Sequence, residues 1–371
     1  MADPRLVKFA DLLVNYSTHV RPGDRVAVRG FPLTGAAEPL ILELAQQILA
    51  AGGHPHVLIQ PEGAATLYLQ QANDEQLAYV NPWLRMISET FDVDLRISSA
   101  ANTRSNSNID PARLNRLREA NKEVVETWFR RTGSGALRWV ATRFPTPAYA
   151  QDAEMSLVEF EDFFYRSCFI DQDDPIERWS NLAATQARAV ERLNQVRSLR
   201  LRGPDIDLQL DVEGRKFIAC SGETNMPDGE IFTGPVEESA SGWVRFSYPC
   251  IYVGVEVDGV ELHFEQGRVV EARATKNEQY LQSTLAADDG ASYLGELGIG
   301  TNTNIQRFSR SMLFDEKMAG TIHLALGGGY PETGSKNHSS IHWDMLVNMR
   351  HESEIVADGE LIYSNGEFML D

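Results

Sequence analysis

Thiols are scarce in this chain: Cys168, Cys220 and Cys250 are the only cysteines in 371 residues. Three is an odd number, and their wide spacing supports neither a disulfide framework nor a cysteine-based zinc knuckle. They read as buried, reduced thiols. No window reaches the roughly 18 consecutive apolar residues that a bilayer-spanning helix needs. The start, Met1-Ala-Asp-Pro-Arg, lacks the basic-then-apolar run of a secretory leader, so cytoplasmic residence is expected. Basic residues are also outnumbered, 34 against 53 acidic, and the formal charge of -19 repels phosphate backbones and anionic lipid. Nucleic acid and membrane surfaces are therefore not expected partners. The same field favours divalent cations and amines, although a large negative charge also serves solubility alone.

Two motif classes are missing as well. The turn after the first expected strand, Gly30-Phe31-Pro32-Leu33-Thr34-Gly35, has neither the close glycine spacing of a dinucleotide fingerprint nor the Gly-Lys-Ser/Thr of a phosphate loop. No nucleotide cofactor is expected there. Gly133-Ser134-Gly135 does not supply the Gly-x-Ser-x-Gly of a serine hydrolase, which argues against a metal-free mechanism. Internal repeats and low-complexity tracts are absent.

The hydrophobic fraction, 43%, is ample for packed cores, and the length exceeds what one core usually fills, so two domains are expected. In the first half, helical and strand patterns alternate. Leu6, Phe9, Leu12, Leu13 and Val14 have helical spacing, and Asp24 to Gly30 reads as a strand. Pro39 to Ala51 reads as a helix ended by Gly52-Gly53, and His56 to Gln60 as a second strand. Asp94 to Ser98, Pro111 to Arg131 and Leu137 to Thr142 continue the series as strand, helix and strand. This predicts a doubly wound α/β domain with parallel strands. Two long helical patterns, Met155 to Ile170 and Pro175 to Val196, read as connectors, giving an N-terminal domain over 1–197.

From Ser198 the texture changes to period-two alternation, as in Leu208-Gln-Leu-Asp-Val, Trp243-Val-Arg-Phe, Tyr252-Val-Gly-Val-Glu-Val, Val260-Glu-Leu-His-Phe and Arg268 to Ala274. Asp258-Gly259 and Gln266-Gly267 supply turns, and one helix is expected near Glu278 to Leu285. The prediction for 198–371 is a mostly antiparallel-sheet domain, α+β in class, and it holds every candidate ligand.

Those candidates are Glu230, Glu296, His323, His342 and Asp344. His342-Trp343-Asp344 is an i, i+2 pair, which in an extended segment puts both side chains on one face. His323 lies in an apolar run, Gly320-Thr-Ile-His-Leu-Ala-Leu-Gly, where a satisfied core histidine is the plainer reading. Glu230 follows the turn signal Pro227-Asp228-Gly229 and could be an ordinary turn carboxylate. Glu296 is flanked by Leu294, Leu297, Ile299 and three glycines, so its charge needs a partner that a cation would supply. His338 and His351 have polar neighbours and read as surface residues, while His54 and His56 read as structural. Two imidazoles with several carboxylates, drawn from separate segments, are the donor set of a divalent cation used in hydrolysis. Gly327-Gly328-Gly329 would let the backbone turn sharply beside that set.

The combination resembles the M29 family of metal-dependent aminopeptidases over nearly the whole chain. The resemblance is strongest in Asn225 to Thr233, Gly295 to Asn302, Leu313 to Gly327 and His342-Trp-Asp. It implies a two-cation centre, zinc or cobalt first and manganese or magnesium otherwise, held by Glu230, Glu296, His323, His342 and Asp344. Either Glu230 or Glu296 would bridge the ions, and a metal-activated water would attack the N-terminal peptide bond of unblocked peptides. Tyr330 would touch the reacting centre and stabilise the oxyanion, or merely pack beside Pro331. Glu316 would pass the water proton to the leaving amine, or form a salt bridge with Lys317 or Arg310. A homodimer is also implied by the resemblance. The rival from another class is a non-catalytic small-molecule-binding protein with a structural metal site. Structural zinc sites prefer cysteine and close at four ligands, and here the thiols lie away from the histidines.

Overall fold

A computed structural model describes residues 3–369. Met1 and Ala2, the first residues of the stretch read for a leader, lie outside it. The chain divides into two compact units, Met1–Arg178 with Gly222–Pro227, and Trp179–Ser221 with Asp228–Asp371. The helix Pro175–Leu193 therefore begins in one unit and runs into the other. The fold is mixed α/β, with one parallel sheet and separate antiparallel sheets.

In the first unit, β1 (Arg25–Leu33), β2 (His54–Pro61), β3 (Val93–Ser98) and β4 (Arg138–Arg143) lie parallel in the order β2-β1-β3-β4, and Asn225–Met226 pairs beside β4. Glu38–Ala50, with Pro39 in its first turn, connects β1 to β2. The helical pattern expected over Pro111 to Arg131 is interrupted. Asn121 leaves helical geometry at φ -92 and ψ 4 and separates Pro111–Ala120 from Lys122–Gly133. Its side chain donates to the Leu117 carbonyl, the local competition that makes asparagine a poor mid-helix residue. Leu157–Ser167 starts with a capping box in which Ser156 and Glu159 satisfy each other's backbone N–H groups.

The second unit holds an eight-stranded antiparallel sheet whose central strands include Ile206–Asp211 and Ser198–Gly203. It also holds a five-stranded antiparallel sheet of β5 (Ile218–Cys220), β6 (Glu230–Thr233), β7 (Leu294–Gly300), β8 (Thr321–Gly327) and β9 (His342–Asn348), in the order β9-β8-β7-β6-β5. Leu199, Leu201, Leu208 and Leu210 from the larger sheet share one buried core with Ile231, Leu297, Ile299, Ile322, Leu324, Trp343 and Val347 from the smaller. The Tyr252-to-Val257 pattern, expected as one strand, is a hairpin of Cys250–Tyr252 and Val255–Val257. Val253 and Gly254 both take positive φ, the geometry of a two-residue hairpin turn. An exposed valine in that position gives no turn signal in the sequence.

Candidate metal centre

The five-stranded sheet sorts its side chains by strand alternation. Ile231, Leu297, Ile299, Ile322, Leu324, Leu326, Trp343, Met345 and Val347 face the core. The intervening positions, Glu230, Glu296, Gly298, Gly300, His323, Ala325, His342 and Asp344, take the opposite face. Pairing then sets them side by side: Gly300 opposite Glu230, Gly298 opposite His323, Glu296 opposite Ala325, Ala325 opposite Asp344 and Gly327 opposite His342. An irregularity in register between Leu294 and Glu296 turns Glu296 onto this face while Leu294 stays in the core. The glycines and Ala325 leave room for the larger groups. Gly327, at φ +98, begins the sharp turn that leads from β8 toward Tyr330.

All five donors expected from the sequence meet here. His323 Nε2 lies 3.3 Å from Glu230 Oε2 and 3.3 Å from Glu296 Oε1. His342 Nε2 lies 3.2 Å from Glu296 Oε2 and 3.4 Å from Asp344 Oδ1, while its Nδ1 donates to the Gly328 carbonyl at 2.7 Å. That last bond orients the ring as a metal-binding histidine is usually oriented. Glu230, Glu296 and His323 are each less than a tenth exposed. Glu316 joins them, with a ligand atom in one tight group with those of Glu230 and His323. Tyr330 lies beside them, its ring edge-on to His342 at 5.2 Å and to Phe232 at 5.3 Å.

These groups strongly perturb one another. Burial pushes the Glu230 carboxyl up to about 8 despite the attraction of Lys317. Burial also opposes charge on Glu296, yet hydrogen bonds from His323 and His342 outweigh it and hold that carboxyl down at about 2. Burial disfavours both imidazolium ions, but Glu296 and Glu230 raise His323 to about 9, and Asp344 and Glu296 raise His342 to about 11. Protons on the His323 and His342 rings are thereby favoured, between carboxylate lone pairs that would otherwise face one another. A metal ion would displace them. Tyr330 is 41% exposed as a residue, but desolvation at its hydroxyl end and the nearby carboxylates push that hydroxyl above its usual range, so it keeps its proton as a donor at neutral pH.

Four further residues, none of them a ligand candidate in the sequence, lie against these donors or their backbone. The Lys317 ammonium, 1% exposed, lies 2.5 Å from Glu230 Oε1, 2.7 Å from Glu316 Oε1 and 3.7 Å from Asp228 Oδ1. In the sequence Asp228 reads as a turn residue and Lys317 as a possible salt-bridge partner of Glu316. The ion pair with Glu316 does form, but it is buried. Cys220 has a ligand atom within one group with those of Asp228 and Glu230. Gln186 donates to the carbonyls of Cys220 and Glu230 and to Thr301 Oγ1, fixing the backbone under Glu230. No local pattern marks such a glutamine, because its partners lie on three separate segments. His338 and His351 are exposed, as their neighbours suggested.

The donor set fits divalent cations. Glu230 Oε2, His323 Nδ1 and Asp344 Oδ1 are buried and make no hydrogen bond. Two compact groups, Glu230/Glu316/His323 and Glu296/His323/Asp344, bring their ligand atoms within 4.8 Å of one another. Oxygen and imidazole donors in this ratio suit zinc, cobalt or manganese. The sequence pattern of the thermophilic metalloprotease family, M29, matches residues 2–368. The chain belongs to this family. It is accordingly a metallopeptidase and a hydrolase, and aminopeptidases are what its named relatives are. This M29 chain is 28% identical to Aminopeptidase 2 of Geobacillus stearothermophilus, over all of its own length and 98% of the relative's. Its fold is similar to that of AmpT from Thermus thermophilus, with a TM-score of 0.82 at 24% identity over 98% of this chain and 99% of that one. The same fold, at a TM-score of 0.59 and 14% identity, occurs in a 2,5-dihydroxypyridine dioxygenase from Pseudomonas putida, covering 98% of this chain and 96% of that one. Fold alone therefore does not fix the chemistry, which has to be argued from the residues.

Proposed function

We propose that this M29 chain removes the N-terminal residue of unblocked peptides at a centre of two divalent cations. The observation that carries the reading is the convergence of Glu230, Glu296, His323, His342 and Asp344 on one face of one sheet. Glu230 and His323 would hold one ion, and Glu296, His342 and Asp344 the other, with His323 within reach of both sets and Glu316 beside the first. Bound there, such a pair of ions lowers the pKa of water and polarises the peptide carbonyl.

The remaining steps fall to side chains. Glu316 accepts a proton from the attacking water and returns it to the leaving amine. The Tyr330 hydroxyl, kept protonated, donates to the oxygen on which negative charge develops. A substrate α-ammonium pairs with the carboxylate cluster, which selects peptides with a free N-terminus. The test is to dialyse the protein against a chelator and assay amino-acid release from free and N-acetylated peptides while zinc, cobalt, manganese or magnesium is restored singly. Activity should vanish, return with metal and remain confined to unblocked peptides. Full activity after chelation, or equal cleavage of acetylated peptides, would remove the reading.

A further inference from the structure

Three groups of potential ligands lie in the second unit: Glu230/Glu316/His323, Glu296/His323/Asp344 and Cys220/Asp228/Glu230. A cation of the chain itself, the Lys317 ammonium, lies against members of the first and the third. Lys317 follows the short helix Met312–Asp315, whose last turn it closes by donating its N–H to the Phe314 carbonyl at 3.1 Å. The Asn302 N–H bonds the Lys317 carbonyl at 2.9 Å, so the backbone here is fixed from two sides. From that position the side chain delivers its ammonium to Glu230, Glu316 and Asp228 with 1% exposure. A lysine so buried is stable only because carboxylates surround it.

We propose that Lys317 is a built-in third cation of the metal centre: its ammonium, held by Glu230, Glu316 and Asp228, pins Glu230 for metal binding. The pinning is visible in how the two oxygens of Glu230 are used. Oε1 is held by Lys317, while Oε2 is left without a hydrogen bond on the His323 side. Charge supports the same role. Asp228, Glu230, Glu296, Glu316 and Asp344 bring five negative charges when ionised; Lys317 cancels one and two divalent cations cancel the rest. Lys317 is too enclosed to meet substrate and is a positioning residue. The inference rests on the two-cation reading above.

Equilibrium dialysis of the full chain against Zn2+, with elemental analysis of the bound metal, tests it without reference to turnover. In Lys317→Met the ion at Glu230 should bind at least ~10-fold more weakly, the size expected when the partner orienting a ligand is lost, and the ion at Glu296 and Asp344 should be retained. Asp228→Asn keeps the ammonium and should keep two ions, and it carries the test alone if Lys317→Met does not fold. Unchanged affinity at both sites in Lys317→Met, or loss of one ion in Asp228→Asn, overturns the proposal. The unsubstituted chain serves as the separate control. If it binds fewer than two ions the two-cation reading fails, and the Lys317 proposal is still judged by whether Lys317→Met loosens the ion that remains.

Discussion

Gly298 and His323 face each other across β7 and β8, and a β-carbon at 298 would fall 2.0 Å from His323 Cε1. The imidazole packs against the glycine, and this close approach lets its Nε2 reach Glu296 on β7 and Glu230 on β6. Gly298→Ala must therefore push a fully buried ring aside. We expect a loss of about 1–3 kcal/mol from overpacking, together with weaker metal binding, read by urea denaturation and by zinc titration. Parental zinc affinity in Gly298→Ala would show that the ring position is not set by this contact.

Removing a donor should separate chemistry from folding. His342→Ala and Glu296→Gln should each keep native circular dichroism and lower turnover at least ~100-fold, because each takes away a direct metal contact in the two-cation centre proposed above. His338→Ala, on an exposed loop only four residues before His342, is the matched control and should behave as the parent. Turnover near normal in both site variants would exclude these residues from the centre.

Tyr330→Phe keeps the ring that packs on Phe232 and His342 and deletes only the hydroxyl. If that hydroxyl donates to the developing oxyanion, kcat should fall on the order of 100-fold, with KM and zinc stoichiometry little changed. A rise in KM at constant kcat would assign Tyr330 to substrate binding instead.

Much of this site was legible in the sequence because strand alternation is local. His342-Trp343-Asp344 announces its own facing, and Glu296 among leucines and glycines advertises a buried charge in need of a partner. What the sequence concealed depends on register or on distant contacts. The step at Leu294–Glu296 that turns Glu296 outward comes from pairing with β8, and Lys317 looks like any surface lysine until Asp228 and Glu230 arrive from some 90 residues earlier. The same holds for the hairpin at Val253-Gly254, where tertiary pairing overrides a residue with strong strand preference, and for Gln186, which is one polar residue in an amphipathic helix until three acceptors gather around it.

Asp94 in β3 offers a test in the first unit, at a residue that is not among the candidate metal ligands. Its carboxylate, wholly buried, accepts bonds from Arg29 at 2.6 and 2.7 Å, from Arg96 at 2.9 Å and from Trp128 Nε1 at 3.2 Å, and Arg96 stacks 4.1 Å over the Trp128 ring. Burial opposes its ionisation, but Arg29 and Arg96 prevail and hold its pKa below the ordinary value of 3.8. A group whose pKa is depressed on folding contributes stability that is present above its unfolded pKa and is lost as pH falls through the folded one. Asp94→Asn leaves two guanidinium groups without their counter-charge and should cost about 3–5 kcal/mol at pH 7. The gap between parent and variant should then narrow below about pH 4, where Asp94 of the unfolded parent takes up a proton that folded Asp94 accepts only at lower pH. Urea denaturation of chelated protein from pH 7 to pH 3 measures both, with metal loss removed as a variable. A gap that stays constant, or that widens as pH falls, would mean that ionised Asp94 does not hold these arginines.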